Sequence, residues 1–396
     1  MKVYLMLLVL SAVVSFVFTP AVRRLALAGH VFTPQRQRDV HRDPVPKLGG
    51  VAMIAAVLVA LAIGSMVPFL SGIYSDPEPL HGLLLALAVV VLMGVADDLW
   101  DLHWTLKLAG QVTAASLVAF HGIRVEAMPV GWIAVGNEPV QIGLTIFILV
   151  LTMNAINFVD GLDGLAAGVA AIGGSAFFIY TYLLTRTINE FDYSNLATLL
   201  MAVLVGSCVG FLPHNFNPAR IFMGEVGAML IGLLLATAAV AVTATVGDMQ
   251  EGFRFRNVPA YMPILLPIAV MALPLLDLAM AVVRRTVRGA SPFSADRGHL
   301  HHKLVDGGWT HRQAVLLLYL WTFLIAYGVV ALNFVEWWIV LVVVGVLLVG
   351  AGYLTLHPWV RRSRTARPTP LTLTDPESPS DPESPTDPET PRGLEP

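Results

Sequence analysis

Two carboxylates and two amides fall within one ten-residue stretch, Asn154-Ala-Ile-Asn-Phe-Val-Asp-Gly-Leu-Asp163, in a chain that is otherwise largely lipid-soluble. An Asp near the centre of a membrane helix costs about 2.5–3.5 kcal/mol on insertion scales, so Asp160 and Asp163 are expected to face a wet cavity. Four more polar clusters interrupt the apolar sequence: Pro44-Val-Pro-Lys-Leu-Gly-Gly50, Ala96-Asp-Asp-Leu-Trp-Asp101, Pro213–Glu225 and Ser294–His302. Asp97, Asp98, Asp160, Asp163 and Glu225 supply hard oxygen donors of the kind that hold Mg²⁺, or Mn²⁺, on substrate phosphates. Lys47, Lys107, Arg220, Arg297, His299, His301, His302 and Lys303 supply cations that can neutralise a diphosphate as charge develops in phosphoryl transfer. Asn154 and Asn157 add amides to the same set. The His-Leu-His-His run has neither cysteine partners nor a helical His-Glu-x-x-His spacing, which disfavours zinc. Gly49, Gly50, Gly161 and Gly164 would let backbone approach closely, although glycine is also an ordinary packing residue in membrane helices.

These residues must be positioned by membrane helices. Hydrophobic residues make up 56% of the chain and charged ones 13%, against roughly 45–50% and 25% in soluble domains. Apolar runs predict eleven spans at about 3–20, 49–70, 81–96, 106–122, 141–156, 164–184, 195–212, 226–245, 260–283, 313–332 and 336–355, each near the ~20 residues that cross a bilayer. The fold class is therefore an all-α polytopic membrane protein. The first run follows Lys2 but lacks a small-residue cleavage site before Arg23-Arg24, so it is expected to stay as a helix. Segment 123–140, with Gly136-Asn137 between short apolar pieces, is expected to form a small external hairpin. Cys208 lies alone in an apolar run, which excludes an intrachain disulfide.

Charge sets the expected orientation. One set of loops and adjoining helix ends carries 19 of the 24 lysines and arginines, which places it in the cytoplasm, with the N-terminus outside and the C-terminus inside. All five polar clusters then share the cytoplasmic face, as expected of one site built from several helix ends. A transporter or flippase is the rival from another class, because intramembrane acids also line ion paths, but such sites lie at the bilayer midplane. Residues 1–355 are read as one membrane-embedded domain. Residues 356–396 form a basic juxtamembrane segment and a tail of Asp-Pro-Glu-Ser/Thr-Pro repeats, too rich in proline and acid to bury a core.

The five motifs, in this order and over about residues 1–355, resemble those of the polyprenyl-phosphate N-acetylhexosamine-1-phosphate transferases, integral membrane enzymes that start bacterial cell-envelope polymers. The motifs are Pro-Lys-Leu-Gly-Gly, Asp-Asp, Asn-Ala-Ile-Asn-Phe-Val-Asp-Gly-Leu-Asp-Gly-Leu-Ala, Asn-Pro-Ala-Arg-Ile-Phe-Met-Gly and His-Leu-His-His-Lys-Leu. Ala295–Leu304 looks like the branch that takes UDP-GlcNAc for teichoic acid, the arabinogalactan linker or O-antigen-type lipopolysaccharide. The branch using UDP-MurNAc-pentapeptide, with a different His-rich loop, is the alternative. The resemblance implies transfer of GlcNAc-1-phosphate from UDP-GlcNAc to undecaprenyl or decaprenyl phosphate, with release of UMP. It implies a multi-pass protein of the bacterial cell membrane with its site on the cytoplasmic face, no nucleic-acid partner, and a homodimer as the assembly to test.

By the same resemblance Asp97, with Asp98 beside it, handles the lipid phosphate, and Asp160 belongs to the catalytic set. Lys107 touches the diphosphate, Asn157 and Glu225 hold Mg²⁺, and Asp163 lies near the uracil. The loop with His299, His301 and His302 matches the one that closes on the nucleotide-sugar phosphates, and Lys47, Asn154, Arg220 and Arg297, by their own charge and polarity, are expected to bind substrate with it. The family usually has Asp where this chain has Glu225 and Ser where it has Ala228. A Glu is one methylene longer, enough to move a bound metal by about 1 Å or to bind it through both oxygens.

Overall fold

The computed structural model describes residues 1–32, 45–128, 133–134, 137–188, 195–247, 262–287 and 300–365. Its first half runs α1 (Lys2–Ala28), α2 (Gly49–Gly64), a 3-10 turn (Pro68–Leu70), α3 (Ser71–Ser75), α4 (Pro77–Trp100) and α5 (Trp104–Phe120). A small ladder of β1 (Ala127–Met128) and β2 (Ile133–Ala134) precedes α6 (Glu138–Val159), α7 (Leu165–Ile188), α8 (Leu196–Asn215) and α9 (Gly224–Gly247). The rest is α10 (Met262–Val270), α11 (Ala272–Val287), α12 (Leu300–Asp306), α13 (His311–Ala331) and α14 (Trp337–Thr365). Apart from the ladder the fold is helical, and β1 and β2 pair antiparallel with Ala127 opposite Ala134, a hairpin inside the predicted segment.

Among the described residues eight helices are long and apolar enough to cross a membrane, or nine if the bent pair at 49–75 is one span. The eleven predicted runs all fall on helix, but not always on one straight helix. The run at 49–70 stops at Gly64 and turns by 95° into Pro68–Ser75. Pro68 forces this, because the residue before a proline is driven out of the helical region, and Val67 is extended at φ −94°, ψ 115°. The run at 260–283 is divided between α10 and α11, with Pro267 inside the first of them. The helix from the run at 106–122 has 17 residues.

Helix α1 continues past its predicted end at residue 20, through Pro20 to Ala28. Proline removes the N–H that would bond the carbonyl four residues back, which in lipid would leave Phe16 O unsatisfied. His214 Nε2 lies 3.1 Å from that carbonyl and, as the Nε2–H tautomer, repairs the gap from α8. Helix α14 likewise runs beyond 355 to Thr365.

Helices α8 and α9 form the centre, with 78% and 89% of their most apolar windows buried, whereas α14 buries only 11% and packs against α13. On α1 the buried residues Tyr4, Leu7, Ser11, Ser15, Thr19, Val22 and Ala26 recur every three or four positions and face α2 and α8. Leu5, Val9, Val13 and Val17 point outward. A soluble protein could not expose that many large apolar side chains on one helix; a bilayer covers them.

Candidate active site

The loop between α8 and α9 is the seat of the site. At the start of α2, Gly49 N–H donates to Phe222 O at 2.9 Å and Gly50 N–H to Met223 O at 2.8 Å, while Phe222 N–H returns a bond to Pro46 O at 2.9 Å. A β-carbon on Gly50 would stand 2.1 Å from Gly227 N, so the close backbone approach expected at Gly49-Gly50 is realised against α9. From the other side, Asn215 accepts from Gly164 N–H at 3.0 Å and donates to Ile221 O at 3.0 Å. Asp163 Oδ2 accepts from Asn217 Nδ2 at 2.9 Å and from Ala219 N–H at 3.0 Å. One Asp163 oxygen, expected from the sequence to serve substrate, therefore also holds this loop in shape.

The reactive cluster lies where this loop meets α4, α5 and α6. Helix α4 ends at Asp101, a left-handed residue at φ 47°, and the turn carries the chain into α5 so that Lys107 returns to the face of Asp97. Asp97 Oδ1 accepts from Leu102 N–H at 2.8 Å, and Asp97 Oδ2 pairs with Lys107 Nζ at 2.8 Å. Lys107 Nζ is also 3.6 Å from Glu225 Oε1, and the other Glu225 oxygen accepts from the Asn157 amide. Asp98 Oδ1 accepts from Glu225 N–H at 3.2 Å, with Lys47 Nζ 3.9 Å away. Six residues from four separate segments, Lys47, Asp97-Asp98 with Lys107, Asn157 and Glu225, thus form one connected set.

Asp98 Oδ2 is buried without a hydrogen-bond partner among the described residues. It sits over Gly224, where φ is 69° and a β-carbon would be 2.2 Å from it, so both the backbone conformation and the carboxylate require glycine. A buried unpaired carboxylate oxygen is expensive in isolation and is a ready ligand for a cation. Among the described residues no three acids or imidazoles form a closed metal cage. Mg²⁺ commonly takes only one or two protein carboxylates and leaves the rest of its shell to water and substrate phosphates, so Asp98 with Glu225 fits it. Asp160, just beyond α6, is partly buried; burial first, then the charges of Glu225, Asp98 and Asp163, push its carboxyl up to about 7.

Other expected site residues lie differently. Asn154 donates to Gln111 Oε1 at 2.6 Å and to Val150 O at 2.8 Å, which occupies its amide as a tie between α6 and α5. Gln111, buried in the middle of an apolar run, was the signal for that tie. Arg220 has an exposed side chain, and its carbonyl accepts from Arg23 Nε at 2.9 Å. Arg297 and His299 lie outside the described residues; His301 and His302 are on α12, with side chains outside them. Two residues not singled out in the sequence, Arg312 and Tyr319 of α13, hydrogen-bond to the site's loops.

The family profile of Glycosyl transferase family 4 matches residues 80–243, which include Asp97, Asp98, Lys107, Asn157, Asp160 and Glu225. The chain is 40% identical over 359 residues to a decaprenyl-phosphate N-acetylglucosaminephosphotransferase of Mycolicibacterium smegmatis, covering 89% of this chain and 87% of the relative. It is 27% identical over 332 residues to the undecaprenyl-phosphate alpha-N-acetylglucosaminyl 1-phosphate transferase of Escherichia coli, covering 81% and 83%. A phospho-N-acetylmuramoyl-pentapeptide-transferase of Desulforudis audaxviator is 29% identical over 347 residues, covering 81% and 92%.

Proposed function

The chain belongs to glycosyl transferase family 4, and from that premise we propose that it moves GlcNAc-1-phosphate from UDP-GlcNAc to a polyprenyl phosphate in the membrane. A phosphate oxygen of the lipid forms a bond to the sugar-bearing phosphorus; the bond from that phosphorus to UMP breaks, and its electron pair leaves with UMP. The product, polyprenyl-diphosphate-GlcNAc, stays in the bilayer. The single observation that carries the mechanism is the connected set Asp97–Lys107–Glu225–Asn157, with Asp98 and Lys47 beside it.

Asp97 orients the acceptor phosphate and takes its proton, while its bond from Leu102 N–H keeps the carboxylate in one rotamer. Lys107, already placed between two carboxylates, turns its ammonium to the diphosphate as charge builds on it. Glu225, Asp98 and Asn157 would hold Mg²⁺, or Mn²⁺, which when bound neutralises the diphosphate and the departing UMP. The excess of lysine and arginine in the loops on this side supports a site on the cytoplasmic face of a bacterial cell membrane, where a nucleotide sugar arrives from water and the acceptor from lipid. The 40% identity to the Mycolicibacterium smegmatis decaprenyl-phosphate N-acetylglucosaminephosphotransferase, against 29% to the phospho-N-acetylmuramoyl-pentapeptide-transferase, favours UDP-GlcNAc over UDP-MurNAc-pentapeptide.

The test is UMP release in detergent with polyprenyl phosphate and Mg²⁺. UDP-GlcNAc should support release, and UDP-GalNAc and UDP-MurNAc-pentapeptide should not. A transporter would release no UMP from any of them.

A further inference from the structure

Helix α13 carries none of the acids, yet it grips the loops around them twice. Arg312, in its first turn, donates from Nε to Asn217 O at 2.9 Å. Tyr319 donates its hydroxyl to Gly164 O at 2.5 Å. Seven residues is close to two helical turns, so both side chains leave one face of α13. The two acceptors belong to a single block, because Gly164 follows Asp163 and the Asn217 amide donates to Asp163 Oδ2. The neighbouring helix is shaped for this contact: a β-carbon at Gly168 would stand 2.0 Å from Tyr319 Oη. Glycine there opens the notch through which the phenol reaches Gly164, and a half-buried hydroxyl needs such a partner.

The same helix is tied to α12. Gly307 N–H bonds Lys303 O at 2.8 Å and Trp309 N–H bonds Leu304 O at 3.2 Å. Thr310 and Gln313 then form a reciprocal capping box that fixes where α13 starts. The chain thus passes through a short bonded turn from α12 into α13, whose flank holds the Asp163 block.

We infer that Tyr319 and Arg312 are positioning residues for the donor half of the site, holding the Asp163 block in place against α13. This rests on the proposed UDP-GlcNAc reading. Neither residue touches the Asp97–Lys107 pair where the lipid phosphate is handled, so the two substrates should respond differently.

Tyr319→Phe keeps the ring in its notch and removes one hydrogen bond; Arg312→Gln removes the other grip. In each, the Kd for UMP and the KM for UDP-GlcNAc should rise about five-fold, the scale of one hydrogen bond, while kcat and the KM for polyprenyl phosphate stay within about two-fold. Amide exchange over 160–168 should quicken in both, and the double variant should fall short of the product of the two effects. Unchanged UMP affinity in both variants overturns the role, as does an equal rise in both KM values with a drop in melting temperature. If the unsubstituted protein fails to bind UMP at all, the donor reading falls and this role falls with it. Unchanged UMP affinity in the variants alone removes only the role of α13.

Discussion

Lys107 is held by two carboxylates at once, and so Asp97 and Glu225 act on each other through it. Asp97→Asn should lower turnover by about 10²-fold or more, the usual scale for a general base, while UDP-GlcNAc binding changes within about two-fold. A comparable loss of nucleotide-sugar binding would move Asp97 out of the base's role. Glu225→Gln keeps the shape that accepts from Asn157 but removes the charge, and should abolish turnover or sharply raise the Mg²⁺ it needs. Glu225→Asp should stay active with a changed Mg²⁺/Mn²⁺ preference. If Glu225 only complements the positive end of α9, worth about 0.3–1 kcal/mol, the Gln variant keeps normal turnover and normal metal dependence, and the metal role passes to Asp97, Asp98 and Asn157. Asp160 makes the proposed metal testable without turnover. Its folded value of about 7 stands above the ordinary 3.8, so its contribution to stability is full below pH 3.8 and is lost as pH rises through about 7. In EDTA the detergent-solubilised protein should therefore melt lower at pH 8 than at pH 6, and Mg²⁺ should raise the melting temperature more at pH 8. An equal Mg²⁺ effect at both pH values would count against a cation beside Asp160. The acids and Lys107 were legible in the sequence because an ionisable group in an apolar chain is too costly to be idle. Asn154 was read as a substrate contact, and the tie its amide makes to Gln111 was not foreseen, because an amide that ties two helices has the same local sequence as one that binds a ligand. Arg312 and Tyr319 gave no signal: each looks like an ordinary helix residue until the loop it grips is folded beside it.

At the scale of elements, the site depends on backbones that nearly touch. Gly50→Ala would drive a β-carbon onto Gly227 N, a backbone atom with no rotamer to yield, and should destabilise the protein by about 1–3 kcal/mol or more with loss of activity. Gly345→Ala, on α14 with open space around it, is the control and should melt as the unsubstituted protein does. Thermal melts of the two variants in one detergent decide this, and equal melting temperatures would dismiss the close approach. Helix positions were read well from apolar runs because length and hydropathy fix which segments can cross a bilayer. Their ends and breaks were read less well, since proline acts through its surroundings. Pro68 bends the chain after Gly64, whereas Pro20 leaves α1 continuous because His214, 194 residues later, supplies the lost bond. No local pattern distinguishes those two prolines.

For the whole molecule, charge and hydropathy predict spans and orientation but not which helix is central. Helix α14 has a mean hydropathy of 2.6 and α9 one of 2.3, yet α9 is buried and α14 faces outward. Lipid and protein interior are about equally apolar, so composition cannot separate them. Orientation can be checked directly: cysteines placed in 284–312 should react with an impermeant thiol reagent only from the cytoplasm, and cysteines in 246–258 only from outside. The native Cys208 is buried and contributes little background. The reverse labelling would invert the arrangement and take the acid cluster away from the nucleotide-sugar pool. The seam between α1 and α8 has a consequence for how the protein is made. Ser11 and Ser15 donate to Val203 O and Ser207 O, and in each pair the partners are 192 residues apart. At roughly 5–20 residues per second, the ribosome needs about 10–40 s to produce the second half of each pair. During that interval α1 stands in the bilayer with its polar face uncovered, its serines turned back on their own helix, and the active-site acids have no frame until α8 and α9 arrive.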